Sequence, residues 1–145
     1  MNSLACEYID EPLTELIDGV IVAMPSPTLK HNKVAFAIAT VFNNYLKGKT
    51  CEVIQAFNVR LTKKDTLIPD VIVVCNKEVI RNDAVYGAPD LVVEVLSPTT
   101  AKIDKGHKMN IYARCGVKEY WLVDTRNRAI EVYYNICGKL FADMV

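Results

Sequence analysis

The chain has 145 residues, enough for one domain with a real core, and 51% of them are apolar. Lysine plus arginine number 17 and aspartate plus glutamate also 17, which excludes a chain-wide positive field and with it a binder that grips nucleic acid by bulk charge alone. Neither a secretory leader nor an apolar run of about 18 residues is present, so export and a membrane span are not expected.

The elements follow in chain order. Residues 13–24 are two apolar runs around Asp18-Gly19, a pair that tolerates the positive φ of a tight turn, and they predict a β-hairpin. Residues 29–47 carry Val34, Ile38, Val41, Phe42 and Tyr45 at helical spacing before Gly48, which predicts a largely buried helix. Residues 51–62 alternate and predict one strand with a wet face, turned by Lys63-Lys64-Asp65-Thr66. Residues 70–75 and 90–96 are short, β-branched and almost wholly apolar, as in strands covered on both faces, with a polar connection over 76–88. Ser97-Pro98-Thr99-Thr100 opens a helix expected to run to about Cys115, where Gly116 can cap it in the left-handed conformation. Residues 118–124 and 129–134 read as strands around Thr125-Arg126-Asn127-Arg128, with a last short strand from Leu140. The order predicts an α/β domain with a mixed sheet, in which 90–96 and 118–124 are parallel and joined by a helical crossover.

The five cysteines, Cys6, Cys51, Cys75, Cys115 and Cys137, are odd in number and widely spaced. No disulfide framework or zinc knuckle is expected. Cys75 and Cys115 read as small buried thiols, and reduced thiols suggest a cytoplasmic protein.

Two acids stand out in the apolar strands. Asp70 opens one, and Glu94 lies inside the next. Strand alternation puts Asp90, Val92, Glu94 and Leu96 on one face and Leu91, Val93 and Val95 on the other. If the strands are antiparallel neighbours, Asp70 and Glu94 converge. Two like charges about 4 Å apart repel by roughly 4 kcal/mol at an effective dielectric near 20, and a divalent cation would remove that repulsion. Oxygen-only ligation favours Mg²⁺ or Mn²⁺. On the following helix Asp104, Lys108, Ile111, Tyr112 and Cys115 share a stripe. Lys108 is thereby drawn inward, where its stem packs and its ammonium can reach the carboxylates. Lys105 is the weaker alternative, and Lys102 lies too near the helix start.

Together these segments resemble the Uma-type restriction endonucleases of the PD-(D/E)XK superfamily. The resemblance rests on Pro69-Asp70, the run Pro89-Asp90-Leu91-Val92-Val93-Glu94-Val95-Leu96-Ser97-Pro98, Asp104 with Lys108 and Tyr112, and Gly116-Val117-Lys118-Glu119-Tyr120-Trp121-Leu122-Val123-Asp124. It extends to Glu15-Leu16-Ile17-Asp18-Gly19 and to His31, so it covers nearly the whole chain. It implies a restriction-endonuclease-like fold, a mixed β-sheet flanked by helices behind an N-terminal β-hairpin. It also implies a metal-dependent site that cleaves DNA, with Asp70 and Glu94 as metal ligands and Glu15 as an additional acid. The superfamily pattern places a lysine two residues after the second acid. Leu96 stands there, so the resemblance implies that Lys108 is that lysine moved from strand to helix. Residues 1–145 read as one such domain, ending soon after the Gly138 turn where the family commonly continues, which implies a missing C-terminal extension. DNA is the expected substrate, with RNA not separable by sequence; a homodimer is compatible, and a membrane partner is not expected.

Each residue also has a structural reading. Asp70 and Asp90 follow prolines, as turn residues do. Glu15 fits an exposed hairpin position equally well. His31 reads as a first-turn surface residue and His107 as solvated. Gln55 falls on the apolar side of its strand and needs a partner. Tyr112, Tyr120 and Trp121 read as core. The competing functional reading is a catalytically silent interaction or structural protein that keeps the nuclease fold, favoured by neutral charge and the absent strand lysine.

Overall fold

Asp18 and Gly19 take φ of 49° and 81°, the two left-handed residues of a tight turn. They join β1 (Thr14–Ile17) to β2 (Val20–Ala23), paired antiparallel as expected for this hairpin. The computed structural model describes residues 11–143; of the cysteines, Cys6 lies outside them. Helix α1 spans Leu29–Leu46, and the Thr28 hydroxyl accepts the free His31 amide at its start.

The single strand expected over 51–62 is two strands in two sheets. β3 (Glu52–Gln55) and β4 (Val59–Thr62) are separated by a bend at Ala56, whose φ is 45°. Regular alternation ran through this break, so the pattern concealed it. Gln55 is exposed and needs no buried partner. The turn expected over 63–66 is shorter, because Asp65 and Thr66 already belong to β5 (Asp65–Leu67). Next come β6 (Val71–Val74), a 3-10 turn at Lys77–Val79, β7 (Val85–Tyr86) and β8 (Leu91–Val95).

The long helix expected from Ser97 to Cys115 is broken into α2 (Ala101–Lys105) and α3 (His107–Cys115). Gly106 stands at the break, where a Cβ would come within 3.0 Å of the Lys102 carbonyl oxygen. Gly116 caps α3 with φ 96°. The chain ends in β9 (Glu119–Asp124), β10 (Ala129–Ile136) and β11 (Lys139–Ala142).

One sheet runs β2-β1-β5-β4-β7 and the other β11-β10-β9-β8-β6-β3. β8 and β9 are parallel, with α2 and α3 between them in the chain. Alternation along β6 and β8 divides the core. Val71, Val93 and Val95 pack with Ala35 and Ala39 of α1, whereas Ile72 and Val92 pack with Val59, Leu67, Ile111 and Tyr112. The second sheet is therefore covered by α1 on one face and by α3 with the first sheet on the other.

Cys51 and Cys75 form a disulfide, contrary to the expectation of isolated thiols. The two cysteines lie 24 positions apart, and only the antiparallel register of β3 on β6, with Glu52 opposite Val74, sets them face to face. The cystine also removes the thiol-based argument for a reducing compartment. Cys115 is half-buried and Cys137 exposed. Among the described residues no helix is long and apolar enough to cross a membrane.

Candidate active site

β8 puts Glu94 on the same side as Val92, facing α3 and the first sheet. α3 brings Lys108 to it. The Lys108 ammonium lies 3.4 Å from Glu94 Oε1, 3.0 Å from Glu15 Oε2 and 3.2 Å from Asp104 Oδ1. Glu15, Glu94 and Lys108 are each only 4% exposed and Asp104 2%, so one cation and three acids share a site closed to solvent. Glu15 reaches in from β1, and its other oxygen accepts the Ile68 amide at 2.9 Å. It thus ties the hairpin to the segment that leads into Asp70. Tyr112, one turn after Lys108, donates its hydroxyl to Glu94 Oε1 at 3.0 Å. Tyr120 donates to the Asp104 carbonyl, fixing the end of α2.

The electrostatics follow from burial and from the surplus of acids. Burial pushes the Glu94 carboxyl well above its ordinary range; Lys108 opposes this, and Asp104, Asp70 and Glu15 add to it. Burial likewise raises Asp104 against the pull of Lys108. For Lys108 burial acts downward, but Glu94, Asp104 and Glu15 outweigh it and hold the ammonium above its ordinary value. Asp104 Oδ1 touches Lys108 without accepting a well-aligned hydrogen bond.

Asp70 lies at the rim. Val71 pairs with Val93 in antiparallel register, so one further step sets Asp70 opposite Glu94. Its Oδ2 accepts the Val95 amide at 2.7 Å. Its Oδ1 meets His31 Nε2 at 3.2 Å, and these two side chains keep 16% and 17% exposure. The hydrogen bond to Asp70 lifts the His31 imidazole above its usual value despite burial. His31 Nδ1 is buried and has no hydrogen-bond partner among the described residues.

The structure thus gathers Glu15, Glu94 and Lys108 tightly and sets Asp70 beside them. Lys105 is not in the site; it pairs with Glu131 at the surface. Leu96 packs against the core. Asp90 accepts the Cys75 amide and pairs with Lys118. Three contributors were named in the sequence but given no role in the site. Asp104 and Tyr112 were visible on the Lys108 stripe, but the stripe does not say which polar groups meet Glu94. His31 carries no local signal for Asp70, since α1 and β6 come together only in the folded chain.

A sequence model of the Uma2 family, described as "putative restriction endonuclease", matches residues 6–140. The chain belongs to the Uma2 family. An uncharacterized Synechocystis protein is 33% identical over 127 residues, which cover 83% of this chain and 65% of that protein. The chain therefore spans just under two thirds of that relative's length. A second uncharacterized Synechocystis protein is 25% identical over 143 residues, covering 91% of this chain and 80% of its own length. The fold is that of a crystal structure from Anabaena variabilis titled a "putative nuclease belonging to DUF820", with a TM-score of 0.78 at 22% identity, covering 90% of this Uma2 chain and 76% of that one.

The donor chemistry of this Uma2 site suits a hard divalent cation. Four acids, Glu15, Asp70, Glu94 and Asp104, stand against one ammonium and one imidazole, and burial penalises the surplus negative charge. Among the described residues no three acid, histidine or cysteine side chains form a metal cage unaided. An ion here would need water, backbone or phosphate oxygens as well. Magnesium commonly binds in this way, through one or two carboxylates with the rest supplied by water and substrate.

Proposed function

We propose that this protein is a metal-dependent endonuclease that hydrolyses phosphodiester bonds in DNA. The observation that carries the reading is the Lys108 ammonium, held beside Glu94 from a helix while Leu96 occupies the strand position. Membership in a family described as "putative restriction endonuclease" supports it, and the fold shared with a protein titled a "putative nuclease" is consistent with it.

Asp70 and Glu94 would hold Mg²⁺ or Mn²⁺, which when bound polarises a phosphate and lowers the pKa of an attacking water. Lys108 stays charged, so its role is electrostatic. It offsets negative charge that builds on the phosphate. Glu15 and Asp104 hold the ammonium in place, and the Tyr112 hydroxyl fixes the Glu94 carboxylate. His31 and the Val95 amide orient Asp70. An RNA substrate would use the same groups.

The near-complete burial of Lys108 and Glu94 favours a second reading, a silent protein whose ion cluster only locks the sheets together. Calorimetric titration with Mg²⁺ and Mn²⁺ separates the two. Under the nuclease reading wild type binds, Glu94→Gln does not, and wild type nicks supercoiled DNA only with metal. Absence of both binding and nicking in the folded wild type would leave the silent reading standing.

A further inference from the structure

Glu15, Glu94, Asp104 and Lys108 are closed to solvent, whereas Asp70 and His31 keep 16% and 17% exposure, so the candidate site faces solvent on their side. His31 belongs to the first turn of α1. Lys30, the residue before it, is exposed and donates from its ammonium to the Thr125 carbonyl at 3.1 Å. That bond lays the β9–β10 turn, Thr125-Arg126-Asn127-Arg128, against the start of α1. Strand register fixes how far this turn stands from the site. β8 and β9 are parallel, with Glu94 opposite Leu122 and Val95 opposite Val123. The Leu96 amide continues the ladder to the Val123 carbonyl at 2.9 Å. Thr125 comes three residues after Leu122, hence about 10 Å beyond Glu94 along the strands at about 3.3 Å per residue. One strand of duplex DNA carries a phosphate about every 3.4 Å of its axis. A backbone with one phosphate at the site therefore reaches the turn within a few phosphates.

The acid of the turn is engaged within it. Asp124 accepts the backbone amides of Arg126 and Asn127 and the Asn127 side-chain amide. Arg128, at φ 52°, completes the turn. Both arginines are exposed. Among the described residues neither guanidinium pairs with a carboxylate, whereas Arg60 pairs with Asp83, Lys105 with Glu131 and Lys118 with Asp90. Lys30 has one ammonium proton on Thr125 and two left to donate. Three cations thus stand against one acid beside the entrance to the site, in a chain whose net charge is zero.

We propose that Lys30, Arg126 and Arg128 form a contact ridge for the DNA backbone, gripping phosphates beside the one presented to Asp70 and Glu94. The proposal rests on the nuclease reading, which makes DNA the molecule that must enter on the Asp70 and His31 side. Contacts of this kind position the duplex and carry no base sequence. A neutral chain supplies no bulk attraction for DNA, so the grip has to be local.

Fluorescence anisotropy of a labelled DNA duplex tests it over a salt series, in EDTA so that no metal-dependent hydrolysis proceeds, with each fold checked by circular dichroism. Wild type should bind, and its affinity should fall as salt rises. Arg126→Gln and Arg128→Gln should each reduce the salt slope by about 1 and weaken binding to duplexes of unrelated sequence alike. Arg126→Lys with Arg128→Lys keeps both charges and should keep most of the slope. Lys47→Ala with Lys49→Ala removes two cations from the far end of α1, about 26 Å from Lys30, and should change neither slope nor affinity. A wild type that does not bind the duplex overturns the ridge. So do arginine variants with the wild-type slope, or a Lys47 and Lys49 variant that loses as much as they do. Nicking of supercoiled DNA with Mg²⁺ is scored separately. Nicking by wild type with unchanged binding by the arginine variants refutes the ridge and keeps the nuclease reading. A wild type that never nicks, yet loses DNA affinity with each arginine, refutes the nuclease reading and keeps the ridge as a DNA-binding surface.

Discussion

Lys108 Nζ and Glu15 Oε2 are 3.0 Å apart, although one lies in the hairpin that opens the described chain and the other in its last helix. That contact ties β1 of the first sheet to α3 through two buried charges, each 4% exposed. It makes the candidate site a structural joint as well, and stability and activity measurements must be read together.

Removing the cation should be costly. Lys108→Ala leaves Glu15, Glu94 and Asp104 without their ammonium, and breaking such a buried pair costs about 3–5 kcal/mol. Urea unfolding should show a loss of that size. Adding Glu94→Gln should recover part of it, because the variant drops one of the stranded charges. Equal and additive losses would mean that the two groups do not interact.

Cleavage should depend on Lys108 and not on its neighbour. Lys105 lies at the surface against Glu131, so Lys105→Ala should nick DNA at the wild-type rate. Under conditions where Lys108→Ala remains folded, it should keep metal affinity and lose nicking. An active Lys108→Ala protein would end the case for a displaced lysine.

Tyr112→Phe deletes only the hydroxyl that donates to Glu94. Thermal and urea unfolding should show a loss of about 1–3 kcal/mol, as for a hydrogen bond to a charged group. No loss would place the Glu94 carboxylate elsewhere.

Acid should act through Asp65. Burial tends to raise this carboxyl, but the Thr62 hydroxyl, the Asp18 amide and Arg114 outweigh it and hold its pKa below the usual 3.8. A carboxylate depressed in the folded state stabilises above its unfolded pKa and loses that contribution as pH falls through the folded value. Asp65→Asn should therefore be less stable than wild type by about 1–3 kcal/mol at neutral pH. The gap should close below roughly pH 4, as the unfolded and then the folded carboxyl protonates. A gap that stays constant with pH would show that the carboxylate charge is not what matters.

Gly106→Ala introduces a Cβ at 3.0 Å from the Lys102 carbonyl oxygen. Shifting helix backbone to make room should cost about 1–3 kcal/mol. Because the break lies between Asp104 and Lys108, which stay 3.2 Å apart across it, part of that loss should vanish in an Asp104→Asn background. Full additivity would separate the break from the ion cluster.

The local elements were written in the sequence because each follows from near neighbours. Asp18-Gly19 dictates the hairpin, the apolar spacing of 34–45 dictates a helix at α1, and the β-branched runs dictate β6 and β8; α1 is not largely buried, since Val41 and Tyr45 stay exposed and only Ala35 and Ala39 are buried. Alternation fixed the face of Glu94, and the helical stripe fixed that of Lys108. The antiparallel placement of Asp70 against Glu94 also followed from two short apolar strands in succession. Tertiary structure alone decided the rest. The sheet split at Ala56 was hidden by unbroken alternation, and the helix break at Gly106 by an unbroken stripe. Cys51 meets Cys75, and His31 meets Asp70, through strand register and helix packing between segments far apart in the chain. Glu15, Asp104 and Lys108 share one site for the same reason: periodicity assigns a side chain to a face, whereas only the packing of one element on another determines which group it touches.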